Sequence, residues 1–355
     1  MDANPQVSVI VCHHVGRDLL NRCIQSYRNA YWSYPYTELI VVTSDPTLTN
    51  PLIDKLLFLE DGPAAKRNLG VEHATGEVIV FLDDDVEIKS DCLKAFVDFF
   101  ADHPDAGMLF AKIYKMEEGR RDEFDDCGSW LTASGFLYAR AGAGQRDRGQ
   151  YETAVPILAS KSATCAIRRS AFESSGGFDP TYYILGEETD LAWRVWLSGL
   201  TVWYVPTAIS WHAFGCESLK PKADYYTIER TMTYGARNYL SLLWTHLGTA
   251  RLVAILPAHV SAWIAALLGF SARGDGRRAL AIMRGLWQAL YRLPDLCRKR
   301  HHSQSRRRVS DRHLWPLISY QPPVSYYATR LWRYWTTQLH GGWLLLFLLN
   351  YKNNS

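Results

Sequence analysis

The sequence contains no Cys-x-x-Cys pair. Its seven cysteines, Cys12, Cys23, Cys92, Cys127, Cys165, Cys216 and Cys297, are scattered and odd in number. That argues against a zinc knuckle or a disulfide framework and fits reduced cytosolic thiols. The opening, MDANPQVSVIVCHH, lacks a basic stretch followed by a long apolar core, so neither a signal peptide nor secretion is expected. No internal repeat is visible. What is present is 355 residues, 48% apolar, 13% aromatic and 21% charged. Such a chain is too apolar to be disordered and too long for a disulfide-stapled mini-domain. Its length suits one large α/β domain with an appendage, or two modest domains.

The net charge of +3 conceals an asymmetry. Residues 1–270 carry 24 Lys and Arg against 33 Asp and Glu, whereas residues 271–312 carry 12 against 3. A basic stripe on an acidic body suits nucleic acid or anionic lipid, or is simply a solvated helical face. The surroundings favour lipid. Leu252–Phe270 runs nineteen residues without a charge, and a Trp- and Tyr-rich tail ends in Trp343–Leu349. Basic residues beside apolar, Trp-rich stretches fit a membrane interface. A membrane surface is therefore an expected partner and nucleic acid is not.

Short β-branched runs alternate with helical patterns from the start. Val7–Cys12, Glu38–Thr43 and Glu77–Leu82 read as strands, while Arg17–Arg28, Gly62–His73 and a Ser90-capped Ser90–His103 read as helices. This spacing implies βαβ units and a mostly parallel sheet with ligands beyond the carboxyl ends of the strands. Residues 117–152 form a charged, Gly-rich excursion expected to be a functional loop. Ser162–Arg168, Thr201–Val205 and Ala208–His212 read as strands, and Glu187–Leu197 as a helix. The first domain is expected at 1–220, followed by a helical, basic, Trp-rich region at 221–355. Leu252–Phe270 is just long enough to span a bilayer, but Pro257, His259 and Ser261 interrupt it and the basic run follows at once. The expectation is a peripheral or monotopic helix in the cytoplasmic leaflet rather than a true transmembrane span, with a buried structural helix as the plain alternative.

Asp83-Asp84-Asp85 is the sharpest feature. Three adjacent carboxylates repel one another, and a divalent cation with hard oxygen ligands would relieve that repulsion. Alternate members can face one side, so Asp83 and Asp85 could share a site while Asp84 faces elsewhere. Glu187-Glu188-Thr189-Asp190 opens a helix, either as ordinary dipole-favoured capping or as a source of a proton-accepting carboxylate. His212 ends a strand in the same domain and, taken alone, is more often a structural histidine than a ligand.

These segments together resemble inverting family-2 glycosyltransferases of the GT-A fold, a doubly covered α/β sheet. The similarity rests on VSVIVCHH, ELIVVTSD, KRNLGVEHATGEVIVFLDDD and GGFDPTYYILGEETDLAWRVWLSGLTVWYVPTAISWHAFG, and covers roughly residues 6–215. The stretch DRGQYETAVPILASKSATCAIRRSAF and the Arg- and Trp-rich tail resemble a rhamnosyltransferase-like branch that builds bacterial surface polysaccharides. The resemblance implies Mg²⁺ or Mn²⁺ held by Asp85 and Asp83 of a DxD motif, with His212 completing the site. It implies donor contacts from Arg67 and Lys66, and from Asp83 or Asp84. It places Glu188 at the general-base position, with Glu187 and Asp190 positioning it or holding the acceptor. The implied donor is a nucleotide-diphospho-sugar, dTDP-rhamnose or a UDP-sugar, and the implied acceptor is a glycan or polyprenyl-linked glycan. Two departures touch the nucleotide: the base-reading Asp falls two places late, at Asp45, and Cys12-His13-His14-Val15 stands where the family has Pro-Thr-Tyr-Asn. An inactive nucleotide-binding scaffold and a nucleotidyltransferase remain alternatives, since fold alone does not decide.

Overall fold

The computed structural model describes residues 4–14, 16–142, 144–213 and 227–322. The expected boundary near 220 and the Trp343–Leu349 run lie outside them. The chain divides into two compact units, the first comprising Met1–Gly128, Arg140–Val195 and Leu200–Lys222, the second Ser129–Ala139, Trp196–Gly199 and Ala223–Ser355.

The first unit opens β1 (Val7–His13), α1 (Arg17–Tyr31), β2 (Thr37–Thr43), β3 (Lys55–Phe58), α2 (Pro63–His73) and β4 (Val78–Asp83). It continues through β5 (Val86–Ile88), α3 (Cys92–Asp102), β6 (Ala106–Lys115) and β7 (Phe124–Asp126). The chain then contributes β8 (Ser129–Leu131) and β9 (Leu137–Ala139) to the second unit. It returns for β10 (Val155–Pro156), β11 (Thr164–Arg168), α4 (Arg169–Ser175), α5 (Glu187–Leu197) and β12 (Thr201–His212). The sheet runs β10-β12-β6-β11-β4-β1-β2-β3. Strands β4, β1, β2 and β3 are mutually parallel, as are β6 and β12, whereas β11 lies antiparallel between β4 and β6.

Strand β1 is buried throughout, as a central parallel strand covered on both faces must be. Val7, Val9 and Val11 pack with Leu20, Ile24 and Tyr27 of α1 and with Phe96 of α3. On the opposite face Ile10 meets α2 at Gly70, where an added Cβ would come within 2.5 Å of Ile10 Cγ2. Helix α3 begins with Asp91, not Ser90, at its N-cap, and no side chain caps it. The two strands expected before and after Pro206 are one, β12. Its register against β6 shifts between Val205 and Ile209, which absorbs the missing proline N–H as a bulge. The 117–152 excursion is no simple loop: it adds β7 to the sheet beside β6.

In the second unit, α6 (Ile228–His246), α7 (Thr249–Ala272), α8 (Gly276–Tyr291), α9 (Leu293–Ser305) and α10 (Trp315–Ile318) follow in order. Met232, Ala236, Trp263, Phe270, Ala279 and Ile282 form its core. The β8–β9 hairpin belongs here because Trp130 and Tyr138 flank Tyr320, with ring centroids 4.9 and 4.7 Å away. Part of the basic stripe is committed internally: Arg300 donates to the carbonyls of Trp244 and Leu247, and Arg307 to that of His246, closing the end of α6. Helix α7 is the one described helix long and apolar enough to cross a membrane by length and composition. It runs through Pro257 and buries Leu252, Ile255, His259, Trp263 and Phe270. Only 22% of its apolar window is buried, less than the covered core helix of the plain alternative would show.

Candidate active site

The register of the parallel strands brings three chain ends together. Cys12 pairs with Asp83, and His13 with Thr43, so residues following β1, β2 and β4 share one edge of the sheet. Asp84 turns back and accepts the backbone N–H of His14 at 2.5 Å. Lys66 is wholly buried, donating to the His13 carbonyl and to Ser44 Oγ, each at 2.8 Å. Burial holds its pKa below the ordinary lysine value. Asp45 lies on the surface beyond β2, paired with Arg17 at 2.6 Å. Its bonds from Thr47 and Arg17 lower its pKa to about 2.

Asp83, Asp85 and His212 form the densest donor group: one ligand atom from each lies within 4.8 Å of the others. Asp83 ends β4, Asp85 begins the turn into β5, and His212 closes β12 opposite Val86 of β5. The Asp85 carbonyl also accepts the N–H of Ala213 at 2.9 Å. His212 Nε2 stands 3.2 Å from Asp85 Oδ1. Burial disfavours charge on this imidazole, but Asp85 and Asp125 outweigh it and raise its pKa to about 8. A cation on Nε2 would take the proton's place. Two carboxylate oxygens and an imidazole nitrogen converging in a buried turn fit a divalent cation of the Mg²⁺ or Mn²⁺ class.

Arg67 connects this group to α5. Its guanidinium is buried and donates to Asp83 Oδ1 at 2.8 Å and to Glu187 Oε1 at 3.4 Å. Burial opposes its charge, and Asp83 and Glu187 overcome that opposition. The helix start is presented by a tight approach in which Tyr183 (φ 64°), Leu185 (φ 65°) and Gly186 (φ 102°) all have left-handed or extended positive φ. For the two non-glycine residues this conformation is strained, a feature concentrated at functional turns.

The three acids of that first turn then diverge. Glu187 is buried against Arg67, and Asp190 is buried against Arg194 at 2.5 Å. Arg194 also donates to the Ser175 carbonyl, tying α5 to the end of α4. Glu188 forms no ion pair with a described residue and keeps part of its surface exposed. Desolvation, then the neighbouring Glu187 charge, push its pKa well above the ordinary glutamate value. Asp83, Asp85, His212, Arg67, Glu187 and Glu188 thus form one connected array. Lys66 and Asp84 brace its strand ends, Asp190 anchors the helix, and Asp45 sits on the rim in an exposed pair.

Sequence reading passed over Asp125, Lys115 and Lys161. Asp125 is buried and accepts from His212 Nδ1 at 2.9 Å, Lys115 at 2.8 Å and Lys161 at 2.7 Å. Burial would raise its pKa, but the two lysines and His212 hold it well below the usual carboxylate range. The one signal was Phe124-Asp125-Asp126, an acidic pair joined to an aromatic inside the segment read as a functional loop.

Parts of the chain are similar to known proteins. Residues 8–175 match the family described as Glycosyl transferase family 2. The chain is 30% identical over 152 residues to a pre-mycofactocin glycosyltransferase of Mycobacterium tuberculosis, covering 42% of this chain and 30% of that protein. It is 27% identical over 213 residues to the O-antigen biosynthesis protein RfbC of Myxococcus xanthus, covering 56% of this chain and 16% of that one. In both cases the match spans less than a third of the relative's length. The fold is shared with S. aureus TarS 1–349, at a TM-score of 0.50 and 18% identity, over 85% of this chain and 87% of that structure. Residues 8–175 are similar to glycosyl transferase family 2.

Proposed function

We propose that the protein is a metal-dependent inverting glycosyltransferase that moves a sugar from a nucleotide-diphospho-sugar to a hydroxyl of a glycan or lipid-linked glycan. The observation that carries this reading is the Arg67 bridge, which holds the donor-side carboxylate Asp83 and the acidic start of α5 in one array. Asp83, Asp85 and His212 would hold the cation, which when bound neutralises the charge of a departing diphosphate.

The protein's own groups do the rest. Arg67 pairs with Glu187, and burial, followed by the neighbouring Glu187, raises the proton affinity of Glu188. Glu188, the acid of that turn with no ion pair to a described residue, takes the proton of the acceptor hydroxyl. A stronger base positioned for this transfer contributes typically 10²–10⁴-fold. The acceptor oxygen then attacks the anomeric carbon on the face opposite the leaving nucleotide diphosphate, inverting configuration in one displacement. Lys66 and Asp84 hold the ends of β1 and β2 under the nucleotide. Asp45 sits on the rim where a base would be read.

The second unit supports a membrane-surface acceptor. Along α7 an exposed face runs through Val253, Pro257, Ser261, Ile264 and Leu268 without a charge. Helix α8 carries a second apolar stripe, Leu280, Met283, Trp287 and Leu290, exposed beside the buried stripe of Ala279, Ile282 and Ala289. Exposed Arg277 and Arg284 flank it. Apolar side chains with arginines at their margin suit the interface of an anionic leaflet, here assigned to the cytoplasmic face. A dTDP-rhamnose or UDP-sugar donor and a surface-polysaccharide product follow from the similarity to the rhamnosyltransferase-like branch and from the O-antigen protein among the relatives.

The test is nucleotide-diphosphate release from a panel of UDP-, dTDP- and GDP-sugars, with and without Mn²⁺, using detergent-solubilised protein and its Glu188→Gln variant. One donor is expected to be hydrolysed slowly, with dependence on Mn²⁺ and a loss of about 10²–10⁴-fold in the variant. Binding of the donor without any turnover, unchanged by Glu188→Gln in the presence of acceptor lipid, would identify an inactive scaffold. Failure of every nucleotide diphosphate to bind with Mn²⁺ present would overturn the assignment.

A further inference from the structure

Asp125 occupies a position that ordinary sheet pairing would not give it. Between β6 and β7, Ile113 pairs with Asp126 and Tyr114 with Phe124, so Asp125 is the extra residue of a bulge. Bulges re-aim a side chain, and they recur beside active sites. Here the re-aimed carboxylate meets the imidazole of His212 on its Nδ1 side, opposite the nitrogen that faces Asp85. Lys115 and Lys161 bracket the same carboxylate from both oxygens. Three charge-assisted bonds on one buried carboxylate fix it tightly, and through it the ring.

We propose that Asp125 is the positioning residue of the cation site: it holds the proton of His212 on Nδ1 and aims the Nε2 lone pair at the space shared with Asp83 and Asp85. This rests on the metal reading given above. A ligating histidine depends on the partner of its other nitrogen for tautomer and orientation, and losing that partner typically costs about 10–100-fold in metal affinity. Asp126, next in the chain, serves as an internal contrast. It is also buried, but its carboxylate accepts from Ser160 Oγ and the Gly128 N–H, away from His212.

The experiment measures Mn²⁺ affinity by titration with electron paramagnetic resonance, on the full chain without donor or acceptor. Asp125→Asn is expected to weaken binding about 10–100-fold, and Asp126→Asn to leave it within about twofold. In a His212→Ala background the Asp125→Asn loss should vanish, because there is no ring left to orient. With diamagnetic Mg²⁺ bound, selective ¹⁵N labelling of histidine should show His212 carrying its single proton on Nδ1 in the wild type and a tautomer mixture in Asp125→Asn. Wild-type affinity in Asp125→Asn, or an equal loss with and without His212, overturns the proposal. If Asp125→Asn does not fold, Lys161→Gln alters a partly exposed member of the bracket, and a loss of about two- to fivefold is expected. Unchanged affinity and an unchanged His212 tautomer there also count against it. Wild-type affinity in His212→Ala would instead remove His212 from the metal site, a separate failure of the underlying reading.

Discussion

The two units depart from the usual rule of polar outside and apolar inside in opposite directions. In the first, Asp85, Asp125, Lys66, Lys115, Arg67 and Glu187 are all buried. In the second, Trp287, Leu290, Tyr291, Leu268 and Val253 lie in the open, Trp287 with 68% of its surface exposed. Buried charge and exposed hydrocarbon both lack an explanation in terms of stability, and both point to a missing companion. Under the proposed function the companion of the first unit would be ionic, a cation and a diphosphate, and that of the second an apolar phase with anionic margins.

The contrast can be broken most forcefully at Arg67. Replacing it with Met leaves Glu187 buried without its cation and Asp83 short of one partner, and breaking a buried pair from one side costs about 3–5 kcal/mol. Urea denaturation should show the loss, and a change below 1 kcal/mol would mean the array is held some other way. In the second unit a Trp287→Ser, Leu290→Ser pair should leave stability nearly unchanged, since both side chains are already exposed. It should lower partition onto anionic vesicles by about 10²–10⁴-fold, given roughly 1.5–3 kcal/mol for each of the two large apolar side chains transferred. Equal binding of variant and parent in a flotation assay would assign these residues another role.

Arg277→Gln and Arg284→Gln sharpen the same point. Each should weaken binding to anionic vesicles by about fivefold, near 1 kcal/mol per basic residue, and leave binding to neutral vesicles alone. The smallest effect expected is a displacement along the pH axis. Glu188 must be ionised to accept a proton, and its pKa stands above the ordinary glutamate value. Activity should therefore fall with acidity from a higher pH than a free glutamate would give. Glu187→Gln leaves the burial of Glu188 in place and removes the neighbouring negative charge, so the acid limb of kcat/KM should move to lower pH. A limb that stays in place would dissociate Glu188 from the rate.

Much of the first unit was legible because its signals are local. Continuous β-branched runs marked β1, β2 and β4, and the acidic ends of β4 and α5 stood out against apolar neighbours. Strand β6, with Lys112 and Lys115 buried among apolar residues, went unread because its lysines broke the apolar run. Their neutralising partners, Glu152 and Asp125, lie in what looked like a functional loop. The dual role of Arg67 was equally hidden, since Glu187 is distant in the chain and only the fold joins them. In the second unit periodicity revealed helices but not which apolar stripe of α8 would be covered: Gly285, whose added Cβ would fall 2.4 Å from the Thr233 carbonyl, sets that choice by letting the backbone of α6 come close.

The register shift in β12 has a consequence for how this protein tolerates changes in length. His212 faces Asp85 because one strand, begun at Thr201, re-times its alternation between Val205 and Ile209. Deleting or inserting a single residue among positions 206–208 would carry every later side chain to the opposite face of the sheet. The imidazole would then point away from the carboxylates while Trp211 turned in. A segment that looks like a dispensable kink therefore acts as a length gauge, intolerant of indels though it touches none of the reacting groups.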